Sequence, residues 1–299
     1  MNPILYAIPF FLVTMWIEGA LLRRPEHRAL AGYERRDTRT SLIMGVGNLV
    51  IGFAAKFAGY GMWVWLYQFR LLDLSHAWWV WVAGFFAEDL CYYVFHRVGH
   101  ESRFFWAAHV NHHSSRHYNL STALRQSWTT PFTGPIFWAP LALIGFDPAM
   151  ILVLSTVSLV YQYWLHTELI TRMGPFEWLF NTPSHHRVHH GRNVEYLDRN
   201  YAGILIVWDR LFGTFEPEGE RVKYGIYPPV KSYNPIRIVF HEWVDIFRDM
   251  RKATSWRGRL GYFLGRPGWR EDGSGVTAKE YRRQWESKRA AQSAPGREA

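Results

Sequence analysis

Five histidines lie between His96 and His113, directly after an apolar run, and four more lie between His185 and His190. On a helix, positions i, i+3 and i+4 share one face. The spacing therefore predicts three histidine faces. His96 pairs with His100, His109 joins His112 and His113, and His186 joins His189 and His190. Neutral imidazole is the commonest metal ligand among side chains. A lone histidine is ordinarily a surface or core residue. Three spaced clusters beside membrane-length segments instead predict a polyhistidine metal centre, and that obliges the chain to bring distant segments together.

The clusters supply eight imidazoles, and His166, directly after another apolar run, makes a ninth candidate. A zinc site closes with four ligands, so nine donors predict two metals. Imidazole suits iron, zinc, copper and nickel, and spacing alone leaves the choice open. Open metal positions serve either to activate water or to bind oxygen. A membrane setting favours an apolar substrate reached from the bilayer, and attack on an unactivated C–H bond needs an oxidant that side chains cannot supply. Two histidines stay open at this level. His185 points about 100° from His186 on a helix, which allows ligation or a supporting role, and His117 sits beside Arg116 outside the spaced sets. His241 lies outside any cluster and reads as structural.

The membrane reading comes from the apolar runs. Hydrophobic residues make up 48% of the 299 and include 16 Trp, a residue that favours membrane–water interfaces. The mean hydropathy of −0.17 reflects long polar stretches that dilute those runs. The first, residues 3–22, is about long enough to cross a bilayer and reads as an anchor. An arginine-rich loop follows, from Arg23 to Arg39, and the positive-inside rule puts it in the cytoplasm. Residues 42–69, with Lys56, then go out, and residues 77–95, with Glu88 and Asp89, return. Those two acids either line the metal cavity or orient a histidine. Residues 131–144 and 149–165 form a short apolar hairpin around Gly145-Phe146-Asp147-Pro148. All the clustered histidines then fall on the cytoplasmic side.

The formal charge of +9 fits loops beside anionic lipid better than a nucleic-acid patch on a polar fold. The lone Cys91 excludes an internal disulfide and a cysteine-based zinc site. Residues 235–251 alternate as an amphipathic helix that is either interfacial or core-covering. The expected fold is all-α: an integral membrane helical bundle of about four to five spans with a cytosolic, histidine-rich helical cap. The expected divisions are an anchor and basic loop over 1–40, the metal-bearing membrane domain over 41–270, and a polar, partly disordered tail over 271–299.

Longer strings carry a resemblance. The pattern H-x3-H, H-x2-H-H, a later His, then H-x2-H-H resembles the fatty-acid hydroxylase/sterol desaturase superfamily of membrane di-iron enzymes. Phe105-Trp106-Ala107-Ala108-His109, His112-His113-Ser114-Ser115 and Tyr118 to Ser127 bring it close to the alkylglycerol monooxygenase branch and its bacterial relatives. So do His166-Thr167-Glu168, Asn181 to Asn193, and Trp208 to Phe215. The resemblance implies two irons held by His96, His100, His109, His112, His113, His166, His186, His189 and His190. It implies O2-dependent hydroxylation of a bilayer lipid, with a tetrahydropterin or an electron-transfer protein as reductant. Glu101 matches an acid beside the second histidine and is expected to orient a ligand imidazole. The lipid implied is an ether lipid or a fatty acyl chain; a basic residue at His117, where that branch has an acid, weakens the ether-lipid assignment. Arg125, Gln126, Asn119 and Asn193 are open between substrate or ligand contacts and local capping. The location implied is a bacterial inner membrane or an ER-like membrane, with the active site facing the cytoplasm. A desaturase on the same scaffold is the alternative. A metal transporter or sensor is less favoured, because transport would spread the ligands through the spans.

Overall fold

The computed structural model describes residues 4–293. The ends of the chain, and with them the start of the first apolar run and the last six residues of the tail, lie outside the described residues, as does the side chain of Lys56. The described residues hold no β-strand, only two isolated bridges, Phe180 with Leu205 and Gly191 with Tyr224. Helices α1 (Ile4–Leu21), α2 (Arg35–Tyr67) and α3 (Trp78–Glu101) come first. Short helices α4 (Arg103–Ala107) and α5 (Val110–His113) follow, then α6 (Thr130–Thr133), α7 (Ala139–Ile144) and α8 (Pro148–Tyr163). The chain continues through α9 (Pro183–His189), α10 (Val207–Leu211), α11 (Pro235–Lys252), α12 (Trp256–Leu264) and α13 (Ala278–Ser293).

Local chemistry explains the boundaries. Glu34 caps α2 by accepting from the Asp37 amide at 2.7 Å. Asp147 caps α8 in the same way through Ala149, with Pro148 preset for the first turn. The tight turn between α7 and α8 needs Gly145. Its φ is +127°, and a Cβ there would sit 2.1 Å from the Leu72 carbonyl oxygen. Apolar side chains of α2, α3, α7 and α8 close one core, which includes Trp63, Val80, Tyr92, Leu141, Phe146 and Ile151. Helix α1 joins through Phe11, stacked on Tyr163 of α8 at 4.0 Å.

Among the described residues, α2 alone is both long and apolar enough to cross a bilayer, and its most apolar window is only 18% buried. Val46, Val50, Phe53 and Phe57 line its outward face. Residues Ala7–Leu21, Thr130–Ile144 and Pro148–Tyr163 are apolar but shorter. On length and apolarity the four to five expected spans thus come down to one helix with three shorter partners. Helix α3 has 24 residues but carries Glu88, Asp89 and a polar C-terminal third. The far end of the chain is not separate from the rest. Arg282 of α13 donates to the Leu197 carbonyl at 2.6 Å.

Arg125 ties this scaffold to the histidine segment. Its guanidinium, 2% exposed, pairs with Asp37 at 3.2 Å and donates to the carbonyl of Asn111 and the hydroxyl of Ser114. It is a clamp between α2 and α5. Removing one partner of a buried pair leaves an uncompensated charge. Asp37→Ala is therefore expected to cost about 3–5 kcal/mol, read as a lower unfolding midpoint of the purified protein in detergent. An unchanged midpoint would remove the pair from the architecture.

Candidate metal centre

Each histidine segment meets the others at the C-terminal end of α3. Nine imidazoles fall into two groups whose ligand atoms lie within 4.8 Å of one another. His96, His100, His109, His113 and His189 form one; His112, His166, His186 and His190 form the other. These are the nine positions named from the sequence. The faces differ from expectation, however. His112 and His113 part company, as do His189 and His190, because helical neighbours diverge by about 100°. His109 is not helical. It is the N-cap of α5, with φ −127°, and so turns back towards His96. Helices α5 and α9 therefore each contribute to both groups.

The Nε2 atoms approach one another in two chains. His96 to His109 and His109 to His113 are both 3.0 Å, and His113 to His189 is 3.2 Å. In the second group His112 to His166 is 3.2 Å, His166 to His186 is 3.1 Å, and His186 to His190 is 3.2 Å. Three rings are oriented by backbone carbonyls. Nδ1 of His96 bonds the Tyr201 oxygen at 2.7 Å, that of His189 the Arg199 oxygen at 3.0 Å, and that of His166 the Gln162 oxygen at 2.9 Å. A neutral ring that donates through Nδ1 presents a bare lone pair at Nε2. Desolvation by burial pushes His96 and His166 down to about 4, and the other seven well below the usual imidazole range. Neutral lone pairs converging this closely are favourable around a shared cation. A metal–nitrogen bond of about 2.1 Å at right angles gives a donor separation of about 3.0 Å, which matches. Five donors also exceed a tetrahedral set, so the donor chemistry fits a larger coordination number in the first group.

Two buried carboxylates build the shelf that holds the first group. Asp209 accepts from the amides of Tyr201 and Ala202, both at 2.8 Å, and from the Thr214 hydroxyl at 2.6 Å. Asp89 accepts from the amides of Ile204 and Leu205 and from Trp208 Nε1. Asp89 thus anchors the loop that orients His96, and Glu88 accepts from Trp138 Nε1; neither bonds a histidine. Arg187 grips Glu218 at 2.7 Å and the carbonyls of Thr167 and Ile170, holding α9 against the His166 turn. Trp106 covers His100, and Tyr118 lies over His190.

Glu101 does not support an imidazole. Its carboxylate is taken by Arg97 at 3.2 Å and Arg266 at 3.1 Å. The acid beside His100 is Asp198, at 3.9 Å from Nδ1. A guanidinium pair outcompetes a neutral ring for a carboxylate, and Arg266 comes from sequence far downstream. His185 belongs to neither group. It lines a separate cleft of about 160 Å³ with Arg172, Glu177, Arg210, Phe215 and Glu218. His117 bonds the Ala31 carbonyl at 2.9 Å, and His241 bonds Ile238 within its own helix. Asn119 caps the turn after it and donates to Gly32, Gln126 donates to Ala123, and Asn193 bridges Arg221 and Lys223. All are structural contacts. Asp209, Asp198 and Tyr201 escaped the sequence reading as site residues, since single buried residues leave no periodic signal.

Helices that converge on two adjoining histidine groups define a polyhistidine candidate metal protein. Residues 81–214, from α3 to just past α10, match the model of the family described as fatty acid hydroxylase and contain all nine imidazoles; the chain carries a domain of that family. It is 40% identical to the alkylglycerol monooxygenase of Homo sapiens over 271 residues, which is 88% of this chain and 59% of the human protein. Against the alkylglycerol monooxygenase of Xenopus tropicalis it is 41% identical over 237 residues, 78% of this chain and 52% of that protein. The ornithine lipid hydroxylase OlsE of Rhizobium tropici is 31% identical over 135 residues, 45% of this chain and 41% of its own length. The chain spans little more than half the length of the alkylglycerol monooxygenases quoted. No solved structure matches it.

The carbonyl shelf gives a site-selective expectation. Asp209→Asn is expected to weaken transition-metal binding at the five-histidine group by about tenfold or more, with the four-histidine group little changed. Titration of metal-stripped protein, followed by bound-metal analysis, checks this. Equal weakening of both groups would show that Asp209 acts on global folding rather than on the shelf.

Proposed function

We propose that the chain is a membrane-bound, di-iron, O2-dependent oxidoreductase that hydroxylates a C–H bond of a lipid. The observation that carries this reading is the pair of adjoining imidazole groups inside a fatty acid hydroxylase domain. His96, His100, His109, His113 and His189 would hold one iron, and His112, His166, His186 and His190 the other. When bound, the two irons supply the oxidising power that no side chain has. The reaction balances as one oxygen atom entering the C–H bond and the other leaving as water. Two electrons come from an external reductant, a tetrahydropterin or an electron-transfer protein, and two protons from that reductant or from solvent complete the water.

The chain's own residues prepare that chemistry. The carbonyls of Tyr201, Arg199 and Gln162 hold His96, His189 and His166 in one tautomer with Nε2 free. Burial keeps the donors neutral and hence ready to bind metal without first losing a proton. Trp106, Tyr118 and Tyr201 pack around the rings and limit water. The names of the relatives, alkylglycerol monooxygenase and ornithine lipid hydroxylase, favour a lipid substrate. His117 bonds the Ala31 carbonyl and belongs to neither imidazole group.

The membrane reading rests on α2, with α1, α3 and the α7–α8 hairpin as shorter or more polar companions. The arginine-rich segment between α1 and α2 favours a cytoplasmic site, in a bacterial inner or ER-like membrane. A desaturase on the same scaffold would differ only in its product.

The purified protein is expected to bind about two irons per chain and to convert a lipid to an alcohol. His112→Ala and His189→Ala, one from each group, are each expected to abolish conversion while the fold survives. Lipid analysis of cells with and without these substitutions identifies the substrate. Stoichiometric zinc with no iron and no oxygen consumption on any lipid would overturn the reading, and an alkene product would replace it with the desaturase.

A further inference from the structure

Helix α11 has two apolar faces. Ile238, Val239 and Ile246 are buried, the first two against Met44 of α2. Ile236, Phe240, Val244 and Phe247 are exposed, at 61%, 40%, 57% and 55%. They fall within one arc of about 80° on the helix. Helix α12 packs against α11 and also exposes apolar side chains one turn apart, Trp256, Leu260 and Leu264. A core-covering helix needs only the first face.

Charge is distributed to match. The acids Glu242 and Asp249 of α11 are neutralised by Arg103, at 2.7 and 2.8 Å, and Asp245 pairs with Arg248. The basic residues Arg237, Arg251, Lys252, Arg257 and Arg259 are exposed, and no carboxylate among the described residues lies in ion-pair reach of them. Position is the third observation. Thr40, near the start of α2, donates to the Tyr233 carbonyl at 2.8 Å, just before α11 begins. The exposed stripe of α2 starts at Ile43. The outward face of α11 therefore begins where the candidate span begins.

We infer that α11 and α12 form an in-plane membrane-docking surface for anionic lipid, with the apolar stripes in the acyl boundary and the basic flank among headgroup phosphates. The inference rests on the membrane setting proposed above, and its test separates the two. In a Cys91→Ala background, single cysteines replace Phe240, Leu260, Phe53 or Asp272 and carry an environment-sensitive fluorophore. The full chain is placed in bilayers of neutral phosphatidylcholine, or of phosphatidylcholine with phosphatidylglycerol, containing spin-labelled lipid.

The Phe53 probe on α2 reports insertion, and the Asp272 probe reports water. Probes at Phe240 and Leu260 are expected to be quenched by shallow spin labels, more in the anionic bilayer. Arg237→Gln, Arg251→Gln and Lys252→Gln are each expected to shift the docked-to-free ratio by about fivefold. Quenching at Phe53 without quenching at Phe240 and Leu260 would overturn the docking surface alone. No quenching at Phe53 would overturn the membrane setting itself. Protection of Phe240 that follows protein concentration rather than lipid charge would assign the face to a second copy of the chain and also overturn the proposal.

Discussion

The hydrogen bond from His96 Nδ1 to the Tyr201 carbonyl is where the fold meets the chemistry. Burying nine imidazoles is costly unless their polar atoms are satisfied. A ring with its Nδ1 proton committed leaves Nε2 as a defined donor to a metal. The carbonyl can commit that proton only if its loop is rigid. Asp209 and Asp89 provide the rigidity, each accepting three hydrogen bonds from residues of the 201–214 region. Charge-assisted bonds of this kind contribute about 1.5–3 kcal/mol each, enough to fix a loop without helical or sheet structure. Gly203 belongs to the same device. A Cβ there would meet the Tyr92 ring at 2.8 Å, so the loop lies flat on α3 only because it has none.

The two groups are held by different means. The first depends on that distant shelf, whereas His166 of the second is oriented by Gln162, four residues back in the last turn of α8. Helix α9 joins them, giving His189 to one and His186 and His190 to the other. Helix α5 does the same with His113 and His112. Neither group can shift without moving these shared helices, on which adjacent residues serve different groups. The clamps Arg125–Asp37 and Arg187–Glu218 lie directly behind α5 and α9. These two buried ion pairs fix the two helices that carry both groups.

This explains what was legible in the sequence. Ligands repeated at i+3 and i+4 leave a spacing signal, and all nine imidazoles were visible by it or by the resemblance. Their division into five and four was not, since sharing a face suggests one centre while adjacent residues actually diverge to two. His109 was mistaken for a helical position because a cap lies in the same spacing as a turn of helix. Glu101 is expected to orient an imidazole only through the resemblance, but its partner choice is decided by Arg97 and by Arg266, which no local pattern links to it. Glu88 and Asp89 were recognised as unusual within an apolar run; their partners, Trp138 and the 204–208 segment, are distant in sequence. Hydropathy marked the apolar runs, and the caps and breaks that shorten them emerged only with the packing.

The net positive charge has two physical populations. Arg125, Arg187 and Arg103 are buried or nearly so and hold elements together through carboxylates. Arg237, Arg251, Lys252, Arg257 and Arg259 are displayed. Arg103 links the two. It cancels the acids of α11 and so leaves that helix with a net basic surface. Its own amide donates to the Gly265 carbonyl at the end of α12. It also stands three residues after His100, at the start of the turn that leads to His109. The surface formed by α11 and α12 is thus bonded to the segment between two ligands of the first group, and whatever positions those helices also bears on the geometry of that group.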